Sequence, residues 1–248
     1  MLGLIPISDA NPTRRTPVVT LGLILVNVLA FFFVEPGFGE SPEAQVFFRE
    51  NVAIPCQLEN VCPAVLGLPE RDLASFLGAI VFSTFLHGGF LHIAGNMLFL
   101  WVFGNNVEDY LGPLKYLLFY LLGGIAAGFA QVASHLGPCT NADPAPCIPA
   151  VGASGAVAAV MGAYFVLFPR ARVNVLVPIF FIFSLVAMSA WVVLGVWFLF
   201  QLLIPQQGVA WEAHVGGFLF GAIAIYVLGG RPHRPAPAWR PGWRSGWP

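Results

Sequence analysis

Four side chains set in apolar surroundings define the chemistry this 248-residue chain could perform: Ser154, His214, His92 and Asn96. A serine hydroxyl is a poor nucleophile until a base removes its proton. A neutral imidazole within hydrogen-bond reach supplies that base near neutral pH. Attack on a carbonyl carbon leaves an oxyanion, which needs donors already aimed at it. The His92 ring, the Asn96 amide and the Ser154 backbone N–H are the donors available. No carboxylate completes a triad: Glu212 stands two residues before His214, and side chains so spaced do not face each other on a helix. The chemistry implied is acyl transfer by a serine–histidine dyad.

The elements that must position these groups are membrane spans. Hydrophobic residues make up 58% of the chain and charged residues 9%, too few charges to coat a water-facing surface. Six apolar segments approach the roughly 20 residues a crossing helix needs. They are Pro17–Val34, Leu91–Phe103, Leu114–Ser134, Gly152–Phe168, Val173–Ile204 and Ala213–Leu228. The expected fold class is therefore an all-α membrane protein with six transmembrane helices. Leu73–Leu86 is also apolar and is expected in or near the membrane. The fifth segment is long enough to tilt or to break near Pro178. Met1 to Thr16 is read as a cytoplasmic N-terminal segment, residues 17–229 as the membrane domain, and residues 230–248 as a disordered Pro/Trp/Arg-rich cytoplasmic tail.

Orientation follows from lysine and arginine, which are retained on the cytoplasmic side. Nine of the 11 (Arg14, Arg15, Lys115, Arg170, Arg172, Arg231, Arg234, Arg240 and Arg244) fall on the side of the termini; Arg49 and Arg71 fall opposite. Both termini are thus expected in the cytoplasm of a bacterium, with the chain in its plasma membrane. The same topology places Cys56, Cys62, Cys139 and Cys147 outside, where two short disulfides are plausible; the alternative is four free thiols. His135 in an outer loop and His233 in the tail are read as solvent-facing.

A depth comparison links the polar groups. His92 precedes Glu108 by 16 residues, Ser154 precedes Arg170 by 16, and His214 precedes Arg231 by 17. At ~1.5 Å per residue the three lie roughly 24–26 Å above one surface, at a shared level. Asn96 lies one turn deeper on the face of His92. Small residues surround the serine (Gly152, Gly155) and follow the histidine (Gly217, Gly221). The face Gly217–Gly221 can press on Gly155, Ala158, Ala159 and Gly162, bringing His214 beside Ser154.

Three strings in order, His87-Gly-Gly-Phe-Leu-His92-Ile-Ala-Gly-Asn96, Gly152-Ala-Ser154-Gly155 and His214-Val-Gly-Gly217-Phe-Leu-Phe-Gly221, resemble the rhomboid intramembrane serine proteases. The resemblance runs from about His87 to Gly229. It implies a six-helix rhomboid-type bundle in which Ser154 is the nucleophile, His214 the general base, and His92 and Asn96 part of the oxyanion hole. It makes His87 and Glu108 structural. Transmembrane segments of single-span proteins, cut near the outer end of the helix, are the implied substrates. Two departures stand out. Gly78 and Ala79 occupy positions where many members carry Trp-Arg, and Ala158 stands where some carry a tyrosine that stacks on the catalytic histidine.

Other chemistries find less support. There is no H-E-x-x-H pattern and no pair of in-span aspartates, and a zinc site from His87, His92 and His214 would lack a carboxylate. No cofactor, no metal and no nucleic-acid partner is expected; membrane lipid and substrate helices are. A catalytically silent relative that binds membrane partners is one alternative. A solute or proton pathway is another, though it would need polar groups continuing below Asn96 and Ser154, where the spans are almost wholly apolar.

Overall fold

The computed structural model describes residues 4–37, 41–137, 151–179, 182–203 and 210–232. In chain order these form strand β1 (Ile5–Asp9) and helices α1 (Val18–Phe33), α2 (Pro42–Asn51), α3 (Pro55–Leu58), α4 (Leu73–Ser83), α5 (Phe90–Leu111), α6 (Pro113–Ser134) and α7 (Ser154–Leu167). Strands β2 (Arg172–Ile179) and β3 (Ile182–Ser189), then α8 (Ala190–Leu203) and α9 (Trp211–Val227), complete them. A short 3₁₀ turn, Ala64–Leu66, sits in the loop before α4.

Helix α7 is the centre. Every residue from Gly155 to Tyr164 is buried, as a helix that is apolar all round requires. It packs against α9, α6, α5 and α8, while α1 lies against α5. The main core adds Phe103, Tyr116, Tyr120, Tyr164 and Leu194 to the small residues of α7. The turn from α5 to α6 follows its local sequence. Gly112, at φ +78°, ends one helix in the left-handed region, and Pro113 opens the next at a position where a missing N–H is harmless. Asp72 caps α4 by accepting from Ser75 N at 2.8 Å.

The fold departs from an all-helical bundle in one region. Val173–Ile204 is not a single span: its first part forms the β2–β3 hairpin, and helix begins only at Ala190. The stretch Arg172-Val173-Asn174-Val175 alternates polar and β-branched residues, a period-two pattern, and Val173 and Val175 are fully buried. Pro178 would also interrupt a helix there. β1 adds to β2, giving a three-stranded antiparallel sheet in the order β1-β2-β3. Residues 5–9 of the N-terminal segment therefore belong to the folded body.

That strand is stitched to the bundle. Tyr164 Oη donates to Asp9 Oδ2 at 2.5 Å and Asn106 Nδ2 donates to the same oxygen at 2.9 Å. Asn11 Nδ2 donates to Asn106 Oδ1 at 2.6 Å. Burial pushes the Asp9 carboxyl up to about 6, against the lowering effect of its donors. The Glu108 carboxylate, 2% exposed, accepts from Val19 N at 2.9 Å, Thr20 N at 2.8 Å and Thr20 Oγ1 at 2.7 Å. It caps the N-terminus of α1 from across the bundle, where Pro17 has no side chain able to do so.

Among the described residues α6 alone is both long and apolar enough to cross a bilayer by itself; α1, α4, α7, α8 and α9 are apolar but only 10–17 residues long. The apolar stretches of the sequence run on into turns and strand, which lengthens them beyond their helices.

Candidate functional site

Ser154 is the first residue of α7, and no side chain caps that end. The first N–H groups of the helix consequently have no partner within it. Before it the chain turns through Gly152 at φ +121°, whose N–H donates to Ser83 O at 3.0 Å. This turn passes directly over α5: a Cβ on Gly152 would lie 2.7 Å from His92 Cε1 and Nε2 and 3.7 Å from Asn96 Nδ2. The Asn96 amide nitrogen is buried without a hydrogen-bond partner among the described residues. A donor left open at that point is available to an acceptor that arrives from outside.

His214 lies in the first turn of α9. The α7–α9 seam is made by backbone against backbone. Gly217 faces the carbonyl of Gly155, Gly221 the carbonyl of Ala159, and Gly162 the carbonyl of Phe218. A Cβ on Gly155 would reach Ala213 O at 3.8 Å, so the residue after the serine adjoins the residue before the histidine. No hydrogen bond joins Ser154 Oγ to His214 among the described residues; His214 Nδ1 instead lies 2.8 Å from Gln201 Oε1. The ring of Trp197 sits 5.8 Å from that of His214, inclined at 38°.

His87 is fully buried beside this group, its ring 5.2 Å from that of His92 and nearly perpendicular to it. Its backbone N–H donates to Glu35 Oε1 at 2.8 Å. Burial raises the Glu35 carboxyl to about 7, although that N–H pulls the other way. A cavity of about 40 Å³ adjoins Ser154, bounded by Ser83, Thr84, Gln131, Gly152 and Ala213 among others. It has room and polar partners for a few water molecules.

The segment over the cavity is braced covalently. Cys56 and Cys62 form a disulfide, and Pro55 beside them lines the cavity wall. Cys139, Cys147 and His233 lie outside the described residues. His135 is not solvent-facing: its side chain is 18% exposed, with Nε2 3.5 Å from Glu212 Oε1. The ring is held there by α6, its Nδ1 lying 3.0 Å from Gln131 O. Glu212 therefore points to the end of α6 and away from the histidine two residues on.

The sequence reading passed over Gln201 and Trp197. The signal was present, since Gln201 is a lone amide near the end of an otherwise apolar helix. Among the described residues, no group of three or more His, Cys, Asp or Glu could hold a metal ion.

A family model for the rhomboid domain matches residues 76–231, well over half of the chain. The chain belongs to the rhomboid family. Curated relatives include presenilin-associated rhomboid-like protein A, mitochondrial, from Danio rerio, 30% identical over 148 residues, which are 57% of this chain and 35% of that protein. Rhomboid protein 1, mitochondrial, from Saccharomyces cerevisiae is 31% identical over 163 residues, 63% of this chain and 43% of that protein. The human presenilin-associated rhomboid-like protein, mitochondrial, is 30% identical over 150 residues, 57% of this chain and 35% of that protein. This rhomboid thus spans well under half the length of these relatives. Membership makes it a multi-pass integral membrane protein. The relatives' mitochondrial names lend no support to the bacterial plasma membrane expected from the sequence.

Proposed function

We propose that this rhomboid is an intramembrane serine endopeptidase that cleaves single-span membrane proteins near the outer end of their helix. The observation that carries the reading is the convergence at the start of α7. The Gly152 turn lies on His92 beside the open Asn96 amide, and the α7–α9 seam sets the residues next to Ser154 and His214 against each other.

In this reading Ser154 Oγ attacks the scissile carbonyl carbon while His214 Nε2 takes the hydroxyl proton. The carbonyl π electrons move to oxygen, and the oxyanion is met by Asn96 Nδ2, the His92 ring and the Ser154 N–H. Collapse of the intermediate breaks the peptide C–N bond, and His214 passes its proton to the leaving amine. Water activated by the same imidazole then releases the acyl group from Ser154. Ser154 Oγ and His214 share no hydrogen bond among the described residues, and catalytic pairs of this kind often close only on the bound substrate.

The helix lengths suit cleavage below a membrane surface. α7 has 14 residues, roughly 21 Å at ~1.5 Å per residue, against a hydrocarbon core of about 30 Å. With its far end at the inner boundary, Ser154 sits some way beneath the outer one. We assign the six crossings to α1, α5, α6, α7, α8 and α9, with both termini in the cytoplasm. Lipid and the substrate helix are the partners.

The test is cleavage of a single-span reporter in liposomes by the intact chain, Ser154→Ala and His214→Ala, with fluorophosphonate labelling alongside. Cleavage and labelling confined to the intact chain support the reading. Absence of both from the intact chain, over several reporters, leaves a silent membrane-binding relative in its place.

A further inference from the structure

A histidine that removes a proton with Nε2 must carry its own proton on Nδ1, because a neutral imidazole has one donor and one acceptor nitrogen. His214 is half-buried, where that Nδ1–H is best held by an acceptor from the protein. The bundle provides one from α8: Gln201 Oε1 lies 2.8 Å from His214 Nδ1. Trp197 precedes Gln201 by four residues, so both project from one face of α8. Its indole, 5.8 Å from the imidazole, also meets Phe218 at 6.1 Å, one turn further along α9. Trp197 therefore packs against α9 beside the histidine ring. Ala158, one turn after Ser154, has no ring to offer from the opposite side.

We propose that Gln201 is a positioning residue for His214, fixing its tautomer, with Trp197 fixing its ring plane. The proposal rests on the reading of Ser154 and His214 as the dyad. An amide oxygen holds Nδ1–H in place, aims Nε2 toward α7, and presents the negative end of its dipole when the ring becomes imidazolium. This is the orienting part of a triad's carboxylate, without its charge. Among the described residues no carboxylate takes that part: Glu212, the acidic residue of the first turn of α9, faces His135 at the end of α6 at 3.5 Å. From α5 the titratable neighbour is His92, itself packed on the Gly152 turn.

The test uses the full chain in liposomes with Gln201→Leu, Gln201→Glu, Trp197→Leu and Ser154→Ala. Gln201→Leu should lower kcat by about tenfold to a hundredfold with KM changed less than about twofold, as loss of an orienting partner does. Gln201→Glu should keep most of kcat and move the acid limb of the pH–rate profile up by about one unit, since a carboxylate favours imidazolium. Independently of turnover, nitrogen-15 NMR of labelled histidine should find the His214 proton on Nδ1 in the intact chain and in Ser154→Ala. It should find a mixture of tautomers in Gln201→Leu. Unchanged kcat, pH profile and tautomer in Gln201→Leu would overturn the proposal, as would a His214 proton on Nε2 in the intact chain. If Gln201→Leu does not fold, the Gln201→Glu profile decides: an unmoved acid limb rejects the contact. Failure of the protease reading shows separately, as an intact chain that does not cleave yet keeps the Nδ1 proton.

Discussion

Gly152 rests on the imidazole of His92 so closely that even a methyl group added to its Cα would meet ring atoms at 2.7 Å. The turn before Ser154 and the histidine of α5 are thus fitted as one surface. Gly152→Ala would force His92 aside and also strain a backbone at φ +121°. A displacement near 1 Å at such a point costs about a hundredfold in rate. Reporter cleavage by Gly152→Ala should fall by that order, while thermal unfolding in detergent moves far less than for a seam variant.

Asn96 separates function from stability in the opposite way to most buried polar groups. Its Nδ2 has no partner among the described residues, so truncation breaks no hydrogen bond made by that atom. Asn96→Ala is expected to leave the melting temperature nearly unchanged. If the amide meets the oxyanion, kcat should drop by about 10²–10³-fold with little change in KM. A steady-state comparison with matched melting curves checks both halves.

The α7–α9 seam predicts a graded loss of stability. Gly221 faces the Ala159 carbonyl with no space for a side chain. Gly221→Ala should destabilise by about 3 kcal/mol, the upper end for overpacking, because backbone rather than a flexible side chain must yield. Gly221→Val should give no folded protein. Gly78→Ala, where nothing lies within 4 Å of the new atom, serves as the neutral control. Chemical denaturation in detergent measures the series.

Glu108 is a structural group far from the serine. Three donors of α1 converge on it. Glu108→Gln keeps an acceptor but loses the charge at a helix N-terminus, and should cost about 1–3 kcal/mol. Cleavage measured well below the melting temperature should stay within a few-fold of the intact chain. A loss of kcat without loss of stability would argue against this assignment.

Asp9 gives the N-terminal strand a pH dependence. Its carboxyl is raised to about 6 from an ordinary 3.8, chiefly by burial. The folded state therefore holds the proton more tightly than the unfolded chain, and the stability Asp9 contributes is fully present below pH 3.8 and lost as pH rises through about 6. Asp9→Asn does not titrate. Relative to the intact chain, Asp9→Asn should gain melting temperature between pH 4 and pH 7, and hydrogen exchange of β1 amides should lose its pH-dependent difference between the two.

Much of the architecture was legible in the residue order. α1, α6, α7 and α9 fall within one or two residues of the apolar stretches Pro17–Val34, Leu114–Ser134, Gly152–Phe168 and Ala213–Leu228, because apolar length is a local property. Spacing from flanking charges sets His92, Ser154 and His214 at an expected common level, with Asn96 one turn deeper. The hairpin of β2 and β3 was missed although its alternation was visible, since overall apolarity outweighed period in the reading of a long segment.

What the sequence by itself determined is which polar side chains stand within apolar stretches and how long those stretches are. Only the tertiary structure decided which groups meet across helices. That Gln201 rather than Glu212 faces His214, that Glu108 caps a helix about ninety residues earlier, and that Asp9 is held by Tyr164 depend on helix rotation and approach. Those are set by packing among residues distant in the chain, chiefly the glycine seam between α7 and α9. Spacing along one segment carries no information about the angle at which another arrives.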